Sequence, residues 1–467
     1  MVKTNTKPLR SAMLEGPEWK SILLFAIPIL LGQLLQQLYS TVDGIIVGNF
    51  VSENALGAVG TSTVVTIGMS AIAFGMSTGC SVAVGQFFGA GREKDMRSTA
   101  ATALVLLAGL GVGMALLGVL FADFIAVSIL GIESAEVAAF AATYLRIYSV
   151  GFIVQYVYNS INAILRSVGD SKAALYFLIV STVVNVLLDL LFVAVLRWGV
   201  AGAAWATVIA QVACMAFSYG YMYRKYEVFR FRPAQLRPER DKLRLCVGLG
   251  VPTSLQHLVV SCGNIALQRL IDSFGEVTMA AYAVGRTYDH YLSVPCLSMF
   301  QSMTSFAGQN TGAGRYDRVK RGTFQAAGMA VAGVAVLGAI VWLAAAPLAS
   351  VFGVAGETRV QAVGYLRFIA VAYPLMAAYL PFNGCFQGCG EPLAATASSI
   401  VALSTRVGAA YLMAYAFRVG YSSGWKSYAV GWGCALIYVL IHFYRGKWMT
   451  KSIVKTPAQP KAADGAE

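Results

Sequence analysis

Charged side chains are scarce in this sequence. Asp, Glu, Lys and Arg make up only 12% of its 467 residues, whereas a soluble protein carries roughly 25%. Hydrophobic residues account for 57% of the chain, and its mean hydropathy is +0.65. This composition excludes a water-soluble globular domain, because apolar segments of about 20 residues, each long enough to cross a bilayer, are needed to account for it.

Histidine is rarer still, with three residues at positions 257, 290 and 442, and the eight cysteines all lie in apolar segments. Neither residue type shows the spacing of a metal site. No group of His, Asp and Glu falls near one membrane face, as an intramembrane enzyme would require. We therefore predict a protein that is not an enzyme, has no cofactor and uses its cysteines as small apolar side chains. The net charge of +13 does not indicate nucleic-acid binding, because the basic residues concentrate in loops.

One eight-residue motif occurs twice. Gly85-Gln-Phe-Phe-Gly-Ala-Gly-Arg92 returns as Gly308-Gln-Asn-Thr-Gly-Ala-Gly-Arg315. Three further pairs keep nearly the same separation: Pro28 with Pro252, 144–146 with 365–367, and 165–170 with 386–391. Landmarks that recur in order at one offset indicate an internal duplication. We interpret the motif as a tight cytoplasmic turn and not a phosphate loop, because it ends an apolar span instead of joining a strand to a helix.

Twelve apolar segments are long enough to be membrane spans. They lie near 21–47, 55–87, 98–122, 137–164, 173–196, 199–223, 246–272, 278–309, 323–346, 361–388, 393–417 and 427–444. Lys and Arg concentrate in the loops on the side of the N-terminus, which places both termini in the cytoplasm. Because six spans per half is an even number, the repeats are parallel. The predicted fold is an all-α polytopic membrane protein of 12 transmembrane helices in two parallel six-helix repeats.

This span pattern divides the chain into lobes and tails. The predicted divisions are a cytoplasmic N-terminal tail (1–20), an N-lobe (21–224), a cytoplasmic linker (225–245), a C-lobe (246–446) and a cytoplasmic C-terminal tail (447–467). The linker is the longest polar stretch between spans, and we interpret it as a solvated connector beside anionic headgroups. The tail from Thr456 has the composition of a disordered segment.

Two acids in the N-terminal half are candidates for function, because an ionisable group in the hydrocarbon core is costly. Asp43 lies near the outer end of the first span and Asp189 within the fifth. Asn185 precedes Asp189 by one helical turn on the same face, and Thr207 on the sixth span lies at a similar depth, some 12 Å from the outer end. Their oxygens suit Na⁺ or a hydrogen-bonded proton. A purely structural role for either acid is the alternative.

The second half differs at the corresponding positions. It has Gln268-Arg-Leu-Ile-Asp272, in which Arg269 and Asp272 can pair at i, i+3. The eleventh span carries Arg406 and no acid, and no glutamate lies deep in any C-terminal span. We therefore expect the cation site in the N-terminal half only. Polar residues that can contact a substrate, or alternatively join helices, are Gln33, Gln36, Tyr39 and Gln268.

The ordered motifs resemble those of the multidrug and toxic compound extrusion (MATE) family, bacterial DinF-like branch. They comprise Pro28 with the stretch from Gln36 to Asp43, then 55–60, 85–90, 163–170, Asn185 with Asp189, and 199–207. The resemblance implies two six-helix lobes around a V-shaped cleft and a monomer in the lipid bilayer of the bacterial plasma membrane. It implies export of small organic, often cationic or amphiphilic, compounds in exchange for H⁺ or Na⁺.

The resemblance also implies a set of cation-coupling residues. They are Asp43, Asn185, Asp189 and Thr207, with Asn159 from the fourth span. The first four would be metal ligands only if Na⁺ is the coupling ion.

A lipid-linked oligosaccharide flippase of the same superfamily is the closest alternative. Such a protein needs Arg and Lys in its cleft to hold pyrophosphate, and Arg269, Arg286 and Arg406 keep this alternative open. A receptor or a membrane-embedded enzyme is disfavoured by the missing catalytic cluster.

Overall fold

The computed structural model describes the backbone of residues 13–50 and 53–454, and the side chains of 13–38, 57–232 and 234–454. Twelve long helices and a few short helical turns form this described part, which contains no strand. The long helices are α1 (Glu18–Phe50), α2 (Glu53–Gly89), α3 (Glu93–Leu120), α4 (Ala135–Ser167), α5 (Ser171–Asp189), α6 (Gly199–Lys225), α7 (Arg240–Asp272), α8 (Glu276–Gly312), α9 (Tyr316–Leu343), α10 (Gly356–Gly388), α11 (Pro392–Tyr411) and α12 (Ser423–Tyr444).

The predicted all-α membrane fold is confirmed. Within the described residues, eleven helices are long and apolar enough to cross a membrane. The remaining predicted span, 278–309, coincides with α8, whose 37 residues are sufficient in length but more polar in composition. Helix α8 packs against α10, α2 and α1, so its polar residues face protein from both halves of the chain and not only lipid. The tail from Thr456 lies outside the described residues.

The duplication is visible in the backbone. Helices α5 and α11 each continue into a π-helical turn, Leu190–Val195 and Leu412–Ala416. Beyond each turn an arginine has a positive φ: 55° at Arg197 and 50° at Arg418, 221 positions later. Because this conformation is uncommon for a residue with a Cβ, its recurrence shows that the two halves follow the same backbone path.

An acid after the fourth helix of each half repeats the same connection. Asp170 accepts hydrogen bonds from the Tyr221 hydroxyl at 2.9 Å and from the Lys225 ammonium at 2.8 Å. Glu391 lies 3.0 Å from Nε2 of His442, which occupies the position of Tyr221 in the second half. The acid thus ties α4 to α6 in one lobe and α10 to α12 in the other.

The two ends of the described chain cross over between the lobes. The segment before α1 packs on the C-lobe, where Met13 is buried and its carbonyl accepts a hydrogen bond from Asn310 Nδ2 at 3.1 Å. The segment after α12 packs on the N-lobe, where Val454 is buried and the amide of Ile453 donates to Gln86 Oε1 at 2.8 Å. Both segments lie on one face of the bundle, called here the terminal face.

The lobes meet closely along α2 and α7 in the half of the bundle nearer the terminal face. A Cβ added at Gly79 would lie 2.4 Å from the amide nitrogen of Gly250, and one at Gly75 would lie 2.3 Å from the backbone of Ser254. Toward the opposite face, α2 leaves open space instead. A Cβ would have no described atom within 4 Å at Gly57, Gly60 and Gly68. The lobes therefore form a V that is closed at the terminal face.

The first part of the linker between the lobes is packed, which its interpretation as a solvated connector did not predict, whereas most described residues from 232 to 245 are exposed. Phe229 and Phe231 are buried in the N-lobe, and Arg97 Nη2 donates to the carbonyl oxygen of Arg230 at 2.8 Å. The phenylalanines alternate with exposed arginines. This alternation turns the rings inward while the cationic side chains remain in water, which is how a strongly basic stretch can still fold onto a lobe.

Candidate functional site

A cavity of about 550 Å³ lies in the cleft between the lobes. Helices α1, α2, α4, α5 and α6 form most of its wall, and α7 and α8 contribute from the C-lobe. This space is called the N-lobe cavity. Four of the predicted site residues line it, namely Gln33, Gln36, Asn159 and Thr207.

The wall of the N-lobe cavity is apolar, amide-rich and basic. Phe74 and Tyr148 supply aromatic surface, and Gln155 supplies an amide. Arg166, near the end of α4, and His257 on α7 also line it, while no described Asp or Glu does. A mostly apolar wall with a few polar groups is the usual form of a site for a small organic molecule.

The structure brings Asn185, Asp189 and Thr207 together beside this cavity. Asp189 is completely buried, one turn beyond Asn185 on α5. With the amide oriented to satisfy both contacts, Asn185 donates to Asp189 Oδ2 at 2.6 Å and accepts from the Thr207 backbone N–H at 3.3 Å. Because Thr207 lines the cavity, Asn185 connects the buried Asp189 carboxylate to a residue of the cavity wall. The role of these residues in ion coupling stays a prediction.

Three further predicted residues are Asp43, Tyr39 and Asn159. The side chains of Asp43 and Tyr39 lie outside the described part of the chain, although the backbone of α1 passes through both positions. Asn159 lines the N-lobe cavity, but within the described residues no hydrogen bond joins it to Asp189 or its partners. Ion coupling through Asp43 and Asn159 therefore also stays a prediction.

A second cavity, of about 270 Å³, lies inside the C-lobe between α7, α8, α10, α11 and α12. This C-lobe cavity adjoins the N-lobe cavity at Val260, which lines both. Its charged and imidazole side chains are Arg286, Asp289, His290 and Arg406.

Asp289 is an intramembrane acid that the sequence reasoning missed. Its Oδ1 accepts a hydrogen bond from the Tyr373 hydroxyl and its Oδ2 accepts one from the Tyr428 hydroxyl at 3.4 Å. The signal was present, because Asp289 lies between Arg286 and His290 in a predicted span, where any ionisable group is a functional candidate. The N-terminal half is therefore not alone in holding a membrane-embedded carboxylate.

Gln268 lies away from both cavities. It is exposed, and its Nε2 donates to Asp272 Oδ1 at 2.8 Å. The predicted pair between Arg269 and Asp272 was wrong, since Asp272 takes Gln268 as its partner and no ion pair joins it to Arg269 in the described structure. The geometry gives Gln268 no contact with the cleft.

Comparison with known proteins identifies the family. The sequence model of the MatE family matches twice, over residues 28–191 and 252–412. The chain is 27% identical over 443 residues to the probable multidrug resistance protein YpnP of Bacillus subtilis, covering 93% of this chain and 96% of that protein. It is 25% identical over 386 residues to an FAD transporter of Shewanella oneidensis, covering 80% and 82%.

A solved structure of similar fold extends this result. It shows the outward-facing conformation of a multidrug resistance MATE family transporter of the MOP superfamily, with a TM-score of 0.89 and 26% identity over 96% of this chain and 100% of that one. The two matches of the family model cover most of both lobes and reproduce the duplication seen in the motifs and the backbone. The chain therefore belongs to the MatE family, whose members are transporters and not enzymes.

Proposed function

We propose that the protein is a secondary antiporter of the bacterial plasma membrane that exports a small organic compound in exchange for H⁺ or Na⁺. The buried Asp189, joined through Asn185 to Thr207 on the wall of the N-lobe cavity, is the observation that carries this proposal. The protein acts as a monomer in the bilayer and needs no cofactor other than the coupling ion.

Asp189 is the proposed carrier of the coupling ion. Burying an ionised carboxylate is costly, so a proton or Na⁺ at the oxygens of Asp189 stabilises the state that binds it. Coupling requires only that the ion bind two conformations of the protein with different affinity. The contact from Asn185 to the Thr207 backbone gives a direct route for this difference, because movement of the cluster changes the cavity wall. Asp43 and Asn159 are proposed to complete the site.

The shape of the cleft supports an order of events. The lobes are closed at the terminal face and separated toward the opposite face. If both termini are cytoplasmic, as the distribution of Lys and Arg predicts, the cavity in this conformation is open to the outside. Here the exported compound would leave and the incoming ion would reach Asp189, after which closure of the opposite face returns the site to the cytoplasm.

The proposed substrate is an amphiphile with both apolar surface and hydrogen-bonding groups. Phe74 and Tyr148 can contact an apolar body, and Gln33 and Gln36 can hydrogen-bond its polar groups. Cationic compounds are common substrates implied by the family resemblance. One relative is an FAD transporter, and FAD carries phosphates, so the proposal is not restricted to cations.

Transport in inside-out vesicles tests the proposed coupling. We expect a proton or a sodium gradient, imposed separately, to drive ethidium movement, and we expect Asp189→Asn to abolish it because the amide cannot take up a proton or supply an anionic ligand. The matched control is Asp123→Asn, since Asp123 is an exposed acid paired with Arg146. The control should transport at the wild-type rate.

Two results would contradict the proposal. Gradient-driven efflux that survives Asp189→Asn would show that Asp189 is structural. A wild-type protein in which neither gradient moves ethidium or any other organic compound would remove the antiport mechanism, and the lipid-linked flippase alternative would then be tested with its own substrates.

A further inference from the structure

The C-lobe cavity contains a buried arginine with unused hydrogen-bond donors. Arg406 on α11 is only 9% exposed, yet its Nε and Nη2 have no hydrogen-bond partner among the described residues. Its Nη1 makes one long contact, 3.4 Å to Asn264 Oδ1. A guanidinium has five N–H donors, and leaving buried donors unpaired is costly. The site is therefore incomplete without an acceptor.

The position of Arg406 is enforced by packing. Its guanidinium carbon lies 3.4 Å from the ring centroid of Tyr428 on α12. Gly431, one turn further along α12, lets the two helices approach, because a Cβ there would lie 2.7 Å from Cβ of Arg406. The side chain is thus held against an aromatic ring inside the bundle, where it cannot extend to the membrane surface.

The described contacts of the nearby acid include no direct ion pair with either arginine. Asp289 accepts hydrogen bonds from Tyr373 and Tyr428, and in the described structure no ion pair within 4.0 Å joins it to Arg286 or Arg406. Two arginines and one carboxylate therefore line the cavity, which gives it a net positive charge with His290 neutral. In the part of the chain that the structure describes, no group of three His, Cys, Asp or Glu residues could hold a metal ion.

The arginines lie at a common depth. Arg286 is ten residues into α8 from its start at Glu276, and Arg406 is ten residues before Ala416, the end of the π-helical turn after α11. At 1.5 Å per residue, each lies about 15 Å from the face opposite the termini. Asp289 offsets one of these two positive charges, and the other has no anion among the described residues of the cavity, where charge in the hydrocarbon region is costly.

We propose that Arg406 and Arg286 form a binding site in the C-lobe for an anionic group, a carboxylate or a phosphate, of the exported compound. Arginine suits such a group because its planar guanidinium can donate two parallel hydrogen bonds to it. The body of the compound extends past Val260 into the N-lobe cavity, whose described wall carries Arg166 and no carboxylate. The inference rests on the proposed export function and adds anionic and zwitterionic compounds to its substrates.

Equilibrium binding tests the site without any ion gradient. The probes are flavin mononucleotide and riboflavin, which share one ring system and differ by a phosphate, and their flavin fluorescence reports binding to the full-length protein in nanodiscs. We expect flavin mononucleotide to bind better than riboflavin. We expect Arg406→Gln to weaken it by at least about tenfold and Arg406→Lys to weaken it less, because the charge is kept. Riboflavin binding should not change.

The matched control is Arg367→Gln. Arg367 is also a C-lobe arginine within a span, but it is exposed, lies over the ring of Trp342 at 5.2 Å and lines neither cavity. This variant removes the same charge and should bind as the wild type does. Arg286→Gln is a second test variant, and it reports on the site even if loss of Arg406 prevents folding.

A parallel test distinguishes a free anion from a lipid headgroup. Fluorescently labelled phosphatidic acid and the equally labelled diacylglycerol differ only by the phosphate. If phosphatidic acid binds better than diacylglycerol in a way that depends on Arg406, and flavin mononucleotide shows no such binding, the anion site stands and its ligand is a lipid phosphate.

Failure of the anion site and failure of the proposed antiport are separable. The anion site would be overturned if Arg367→Gln weakened binding as much as Arg406→Gln does. It would also be overturned if neither flavin mononucleotide nor phosphatidic acid bound more weakly after substitution of Arg406 or Arg286. Ethidium efflux that depends on Asp189 would then still stand. Conversely, anion binding without gradient-driven transport would refute the antiport, and the anion site would still stand.

Discussion

Glycine 89 and its repeat partner Gly312 show what single residues of the duplicated motif do. A Cβ at Gly89 would lie 1.9 Å from the carbonyl oxygen of Gln309, and one at Gly312 would lie 2.0 Å from that of Gln86. Each motif thus places a glycine against the backbone of the other at the terminal face. The predicted turn at the end of the motif is also present, with φ of 69° at Gly91, but the contact between the motifs was not foreseen.

Substitution at this contact should open the terminal face. We expect Gly89→Ala to destabilise the closed arrangement by about 1–3 kcal/mol, because the methyl group cannot be accommodated against a backbone carbonyl. Spin labels at Lys94→Cys and Lys320→Cys, one on each lobe, should report longer distances. Gly109→Ala is the control, since a Cβ there meets no described atom within 4 Å. An unchanged distance distribution in Gly89→Ala would refute the steric argument.

The motif glutamines connect helices of opposite lobes. Gln86 Nε2 on α2 donates to the carbonyl oxygen of Gly388 at the end of α10, and Gln309 Nε2 on α8 donates to that of Ser167 at the end of α4, each at 2.8 Å. The pairs are related by the duplication. They differ in one respect, because Gln86 Oε1 also accepts from the amide of Ile453, whereas Gln309 Oε1 is buried without a hydrogen-bond partner among the described residues.

This asymmetry gives a test at the level of one segment. We expect Gln86→Ala to speed hydrogen exchange of the Ile453 amide by about two- to tenfold, the range that corresponds to one lost hydrogen bond. Gln309→Ala removes the equivalent link between lobes but no contact of Ile453, so exchange there should stay as in the wild type. Peptides covering 447–454 measure both. Equal effects of the two variants would mean that the segment senses only general loosening of the terminal face.

The helices themselves were largely predictable, because they depend on local patterns. Apolar runs of sufficient length predicted each long helix, and the motif acids at Asp170 and Glu391 were placed at equivalent positions. The packing of the first part of the linker was not predicted, because it depends on contacts with a distant part of the chain. The linker's burial depends on Phe229 and Phe231 finding a partner surface on the N-lobe, and composition does not contain that surface.

At the scale of the whole molecule, the chain ends hold the lobes together. The segment that precedes α1 of the N-lobe packs on the C-lobe, and the segment that follows α12 of the C-lobe packs on the N-lobe. Trp448 is completely buried, with its ring 5.1 Å from that of Phe443. Because each segment crosses from one lobe to the other, the terminal face cannot open widely unless both are released.

Truncation tests this role. Removal of 447–467 should lower the melting temperature and increase the population that is open at the terminal face, because it eliminates the packing of Trp448 and the contact of Ile453 with Gln86. Removal of 455–467 alone keeps both and should leave the melting temperature unchanged. If the two truncations behave alike, the segment after α12 does not hold the lobes together.

The sequence alone determined the membrane class, the all-α fold, the duplication and the pair of Asn185 and Asp189. Each depends on composition or on residues separated by a few positions or by one constant offset, so no knowledge of packing is required. The family resemblance followed from the same ordered motifs, and the match of the family model to both halves agrees with it.

Only the tertiary structure decided which polar groups lack partners and which segments meet. Gln86 and Gly388 are 302 positions apart, and Arg406 keeps donors unpaired among the described residues although Asp289, whose partners are Tyr373 and Tyr428, lines the same cavity. Whether a buried charge is paired depends on every side chain around it in space. That information resides in the packing of helices from distant parts of the chain, and local patterns do not carry it.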